Sequence, residues 1–183
     1  MNTSLLLLIN GWAGSHPLLD TAMIFSANYL IYIIFAVTAG CMAYLLYKRR
    51  WRPVILFGAT LVVSYLLLMI ASHIYVDHRP FVDHHLTQLI AHAPGKSFPS
   101  DHTTVATAIA LGLLAFTRFK KTGVVFLVLA VLIGFARIFV GVHYPIDIAG
   151  GIIVPAIGTL IVYLISTRFV THAQPVSFDN PTV

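Results

Sequence analysis

Long apolar runs, each stopped by a proline, a glycine or a knot of basic residues, restrict this chain to a bundle of helices in a membrane. Leu18 to Tyr47 carries one charged residue, Asp20, in thirty positions. A stretch of that length spans the roughly 30 Å of bilayer hydrocarbon with tilt to spare. Four more runs follow, at Pro53 to Tyr75, Ser100 to Phe116, Gly123 to Gly141 and Ile146 to Phe169. Composition agrees: 58% of the 183 residues are hydrophobic and 9% are charged, outside the balance of a soluble domain. The expected fold class is therefore all-α, a polytopic transmembrane bundle of about five full spans. Asn2 to Ala13 is too short to cross and reads as an interfacial or partly inserted helix. Residues 1–170 form one expected domain, and the tail 171–183, with two prolines, reads as a flexible cytoplasmic extension.

Charge placement orients the bundle. Lys48, Arg49, Arg50, Arg52, Arg118, Lys120, Lys121 and Arg168 fall on one side of five spans, and Arg79, Lys96 and Arg137 on the other. The basic-rich side is cytoplasmic by the positive-inside rule. The loop from Val76 to Pro99 and the turn from Gly141 to Pro145 then share the outer face. The net charge of +5 is spent on topology, so nucleic acid is not an expected partner. Cys41, the single cysteine, lies inside an apolar run and reads as a packing residue.

Three polar clusters meet on that outer face. Asp77-His78-Arg79-Pro80 ends the second run, and the Arg79 fork suits phosphate oxygens. Ser97-Phe98-Pro99-Ser100-Asp101-His102 opens the third, with Ser100 as a helix N-cap and free amides beside it for an anion. Arg137, His143 and Asp147 bracket the turn before the last run. Pro145 suits the first turn of a helix, which places the Asp147 carboxylate where it can hold one nitrogen of His143. Two arginines, two histidines and a helix N-terminus point to phosphoryl transfer without a metal or other cofactor.

Arg79-Pro80, Pro99-Ser100-x-His102 and Arg137-x5-His143-x3-Asp147 together resemble the type 2 phosphatidic acid phosphatase superfamily. Within it the chain looks most like the bacterial undecaprenyl-diphosphate phosphatases of the bacitracin-resistance type, through Arg79-Pro80-Phe81, the short loop and Ser-Phe-Pro-Ser-Asp-His. The resemblance implies a lipid-diphosphate substrate in a bacterial cell (inner) membrane, with the site on the extracytoplasmic face. It implies His143 as the phosphorylated nucleophile, Asp147 as its orienting acid and His102 as the general acid. Arg79, Arg137, Ser100 and the amide of Asp101 would hold the phosphoryl oxygens.

The chain departs from the family pattern twice. Ser72 stands where a lysine is usual, seven residues before Arg79, which leaves Lys96 or His73 as substitutes or two arginines as sufficient. Asp101 stands where glycine is common, and a carboxylate helps a phosphate site only if it turns away or pairs with a cation. The other histidines, including His84, His85 and His92, read as loop or interfacial residues. A phosphatidic acid or phosphatidylglycerophosphate phosphatase is the alternative within the enzyme class, and a small transporter or lipid-binding protein the alternative outside it.

Overall fold

A computed structural model describes residues 2–75 and 77–171, with side chains through Arg168. Eight helices follow in order: α1 (Asn2–Asn10), α2 (Pro17–Asn28), α3 (Leu30–Tyr47), α4 (Trp51–Ile74), α5 (Pro80–Asp83), α6 (Asp101–Phe116), α7 (Lys120–Phe139) and α8 (Pro145–Thr171). The expected tail lies, from residue 172 onward, outside the described residues. Among those described, α3, α4, α7 and α8 are long and apolar enough to cross a membrane.

The fifth expected span, α6, has 16 residues. At about 1.5 Å per residue it falls short of the hydrocarbon thickness, yet it is the helix the others surround, packed on α4, α7 and α8. Ser97 to Ser100, just before it, is non-helical backbone that stays buried or half-buried in protein. Irregular backbone survives at membrane depth only where protein covers it. Ala106, Ile109, Ala110 and Leu113 of α6 form the centre of the main apolar cluster, with Ile34, Phe57, Phe126 and Ile133 closing round them. Outward faces carry Ile55, Val62, Val128 and Leu160, all exposed, as lipid contact requires.

The continuous span expected over Leu18 to Tyr47 is two helices, broken at Tyr29. The break has a use: it frees carbonyls at the end of α2, and the Ala27 oxygen accepts a hydrogen bond from Arg137 Nη1 at 3.5 Å. Asn28, a polar residue in an apolar run, is its sequence signal.

The two ends of the bundle differ. At one end Arg118 donates to the Tyr44 hydroxyl at 3.3 Å, so the α3 end and the α6–α7 connection meet, and Arg52 lies against the end of α8. At the other end α1, the loop after α5 and the α7–α8 turn interlock through Asn10. Its side chain donates to the carbonyls of Thr87 and Phe139 at 2.7 and 2.8 Å and accepts from the Thr87 amide at 2.9 Å. Gly141 follows α7 with φ +83, and a Cβ there would stand 2.6 Å from Leu86 and 2.8 Å from the Thr87 carbonyl. Only glycine lets the loop lie across this turn.

Candidate active site

The turn between α7 and α8 fixes His143. Pro145 is the first residue of α8, as its φ favours, and Asp147 sits in the first turn. Its Oδ2 reaches back to accept the Tyr144 amide at 2.7 Å, the return half of a capping box. The same oxygen takes His143 Nδ1 at 3.2 Å. On the far side of the ring Arg79 Nη1 lies 3.2 Å from His143 Nε2 and donates also to the Val142 carbonyl at 3.2 Å. An arginine has only protons to give, so Nε2 carries the lone pair and Nδ1 the hydrogen. His143 is 2% exposed and Asp147 0%. Burial, which disfavours the charged ring, pushes His143 down to about 4; Arg137 and Arg79 add to the fall, and Asp147 opposes it through its hydrogen bond and charge.

Arg79 enters from the α4–α5 loop and is buried. Burial lowers its pKa, while the Asp101 and Asp147 carboxylates act the other way. Asp101 itself is exposed, and its charge favours the protonated form of Arg79. Arg137, at the end of α7, is 2% exposed. Both guanidinium groups keep a buried Nε with no partner.

Ser100 occupies the N-cap position of α6 without using its side chain as a cap. Its backbone amide donates to the Asp147 carbonyl at 3.1 Å, which ties the start of α6 to α8. Its hydroxyl oxygen accepts from Thr103 at 3.2 Å and keeps its own proton to give. The first amides of α6, Asp101 among them, lack intrahelical acceptors. Close approach of α8 to the segment before α6 needs Gly150, where a Cβ would meet the Phe98 ring at 2.3 Å, and its approach to α6 itself needs Gly151, where a Cβ would stand 2.8 Å from Thr103.

His102 stands one turn away from this enclosed group. It is half-buried and lines a cavity of about 200 Å³ with Ile31, Tyr32, Phe35, Asp101 and Val105. Phe35 and Val105 also line a second cavity of about 420 Å³, apolar, that runs down between α3, α4 and α6 past Leu61, Ser64 and Leu68.

Arg79, Ser97, Ser100, His102, Arg137, His143 and Asp147 thus converge from four segments at one end of the bundle. The superfamily profile of PAP2 matches residues 53–171, the stretch that holds all of them. The chain belongs to the PAP2 superfamily. Undecaprenyl-diphosphatase BcrC of Bacillus subtilis is 36% identical over 162 residues, covering 86% of this chain and 80% of that protein. Bacitracin transport permease protein BcrC of Bacillus licheniformis is 33% identical, over 85% and 75%. Among solved structures, Aquifex aeolicus LpxE superposes with a TM-score of 0.69 at 27% identity, over 88% of this chain and 93% of that one. The PAP2 membership and the spanning helices make this a multi-pass membrane phosphatase.

Three residues in or supporting this PAP2 site escape a reading of the sequence. Ser97 touches both His143 and Asp147. Asn10 locks the loop after α5, as above. His92, in that loop, is half-buried and feels the site's charges: burial lowers its pKa first, then Arg79 and Arg137, against a raising bond to Ala93 and the Asp101 charge. The candidates for the missing lysine stay out. His73 turns its ring N–H onto the Met69 carbonyl at 2.7 Å, Ser72 bonds the same carbonyl at 2.9 Å, and Lys96 is exposed. His84 meets the Tyr144 ring edge-on at 6.0 Å, and among the described residues no three of His, Cys, Asp and Glu converge to hold a metal.

Proposed function

We propose that this PAP2 chain is an undecaprenyl-diphosphate phosphatase on the extracytoplasmic face of a bacterial cell membrane, returning the cell-wall carrier lipid as its monophosphate. One observation carries the reading: His143 presents the Nε2 lone pair to Arg79 while Nδ1 is held by a buried carboxylate. That is an imidazole prepared to attack an anion-bound phosphorus.

The chemistry follows from these positions. The terminal phosphoryl group binds between Arg79, Arg137, the Ser100 hydroxyl and the Asp101 amide, which stabilise charge where it develops. Nε2 attacks phosphorus and the bridging P–O bond breaks. His102 gives its proton to the departing lipid monophosphate. The imidazolium formed on His143 keeps its Nδ1–H on Asp147. Neutral His102 then takes a proton from water, the hydroxide attacks the phosphorus, and the P–N bond breaks to release inorganic phosphate and neutral His143.

The substrate assignment is supported by the name of the Bacillus subtilis relative and by the apolar space at His102. The leaving group carries the lipid, so the chain must lie on the general acid's side. There the two cavities that share Phe35 and Val105 lead from His102 into the bundle. A diphosphate also expels a phosphate, a better leaving group than the alkoxide of a monoester. Phosphate release from undecaprenyl diphosphate, phosphatidic acid and phosphatidylglycerophosphate at equal surface concentration in detergent tests the proposal. The diphosphate is expected to be fastest; a faster phosphatidic acid would transfer the assignment, and no phosphate from any would leave transport or lipid binding. For the face, Ala91→Cys in a Cys41→Ser background, on an exposed stretch of the loop, is expected to react with an impermeant thiol reagent on intact cells. Labelling only after lysis reverses the topology.

A further inference from the structure

The serine at the start of Ser97-Phe98-Pro99-Ser100 has a place in the site that the motif does not announce. Ser97 is 1% exposed. Its hydroxyl donates a short hydrogen bond to Asp147 Oδ2, and the same oxygen lies 3.4 Å from His143 Nδ1. Asp147 Oδ2 therefore collects three donors, Ser97 Oγ, His143 Nδ1 and the Tyr144 amide, while Oδ1 is buried with no partner. A hydroxyl has one proton. With that proton committed to Asp147, what Ser97 turns toward Nδ1 is a lone pair, which only an N–H can use.

We propose that Ser97 is a positioning residue for the His143–Asp147 pair, holding the carboxylate by the oxygen that receives the imidazole proton and keeping that proton on Nδ1. The proposal rests on His143 as the nucleophile. Two things follow from the triangle. Rotation of the carboxylate, which would offer Oδ1 to the ring instead, breaks the bonds from Ser97 and Tyr144 together. A donated hydroxyl proton also makes the carboxylate a weaker base, so Asp147 orients the imidazole without taking its hydrogen. Ser97 further joins this pair to the phosphate-binding arm. Its amide donates to the Asp77 carbonyl at 2.9 Å, and Lys96 pairs with His78 in an isolated bridge next to Arg79. Ser100, three residues on, accepts from Thr103 and keeps its hydroxyl proton for the substrate, so the two serines divide the work.

The charged and titratable groups around His143 are Asp147 on α8, Arg79 from the α4–α5 loop, Arg137 on α7 and His102 on α6, and Ser97 acts on the first. Ser97→Ala, Ser97→Thr, Asp147→Asn and the double variant Ser97→Ala/Asp147→Asn are compared for phosphate release from p-nitrophenyl phosphate across pH. Ser97→Ala is expected to lower kcat about ten- to a hundredfold, the range for losing a partner that orients a working histidine, with KM little changed. Its acid limb moves up, because a more basic Asp147 favours the imidazolium, and Ser97→Thr recovers most of the rate. In the Asp147→Asn background the same change costs less than about threefold, since the partner through which Ser97 acts is already altered. An equal cost in both backgrounds, or a raised KM with an unmoved acid limb, overturns the proposal. If Ser97→Ala does not insert, Ser97→Cys, of similar size and a weaker donor, gives the same reading, and an unchanged kcat there also overturns it. His143→Ala, measured alongside, tests the nucleophile separately: activity surviving in it removes the reading beneath and the proposal with it, whereas an inactive His143→Ala with a failed Ser97 cycle removes the role of Ser97 alone.

Discussion

His143 and His102 belong to one cluster at one end of the bundle and are held in opposite ways. His143 is enclosed, with both ring nitrogens in hydrogen bonds and with a backbone amide and a serine fixing the carboxylate it leans on. His102 is half-buried at the mouth of an apolar cavity. The difference matches what each is proposed to do. A nucleophile must aim one lone pair at phosphorus along one line, and misplacement by about 1 Å can cost roughly 10²-fold. A general acid must follow an oxygen that moves away, on leaving groups that vary, and a looser seat beside the lipid's path serves that better.

The largest expected effects separate these two seats. His143→Ala is expected to abolish phosphate release from every substrate, because no leaving group compensates for a missing nucleophile. His102→Ala is expected to cost roughly 10²- to 10⁴-fold on undecaprenyl diphosphate and less on p-nitrophenyl phosphate, whose aryl oxide departs without a proton. Asp147→Asn falls between, since the ring remains without its orienting charge. Each is read as phosphate release on both substrates, after checking that the variant is folded and inserted. Rescue of His143→Ala by the aryl ester, with none for His102→Ala, would exchange the two roles.

A smaller effect tests the enclosure itself. Attack needs neutral His143, and burial makes the charged ring costly, so activity should hold as pH falls and be lost only near 4. With p-nitrophenyl phosphate, corrected for the substrate's own titration, the acid limb of kcat/KM is expected there and not near the ordinary histidine value of about 6.5. Removing the Asp147 charge, which opposes the shift, should move the limb lower still. A limb near the ordinary value would mean that the ring is wet and the contrast with His102 is lost.

Legibility in the sequence follows the same division. Arg79, Ser100, His102, Arg137, His143 and Asp147 can be read because charge in an apolar run and a proline at a helix start are local signals, and because counting basic residues brings all of them to one face. Ser97, Asn10 and the break at Tyr29 cannot, since each matters only through partners far along the chain. Asn10 acts on a carbonyl 129 residues away, and Ser97 on a carboxylate 50 residues away. Ser100 shows the limit of a local rule: its type and place suit an N-cap, yet a hydroxyl required by a neighbouring threonine and, on the proposed mechanism, by the substrate is not spent on capping.

Asn10→Ala probes that distant support without touching the reacting groups. It removes the donor to the buried Phe139 carbonyl, at roughly 1–3 kcal/mol, together with the part-buried bonds to Thr87, and is expected to lower the unfolding temperature in detergent while kcat falls far less than in the histidine variants. A loss of kcat as large as that of His102→Ala would make the outer loop part of the catalytic apparatus. The smallest effect is none: chelator should leave phosphate release unchanged, because two arginines and the α6 amides already supply the positive field a metal would otherwise provide. Loss in chelator with rescue by one divalent ion would make the histidines ligands and dissolve the contrast between them.

On the proposed mechanism, Arg79 Nη1 resting on His143 Nε2 would give the site a selection step ahead of any chemistry. The lone pair that attacks phosphorus is covered by a guanidinium, and what draws a guanidinium away is an anion. A phosphoryl group uncovers its own nucleophile on arrival, whereas a neutral electrophile meets a cation standing in front of the ring. On that reading the imidazole is guarded from neutral electrophiles by the same arginine that would admit the substrate.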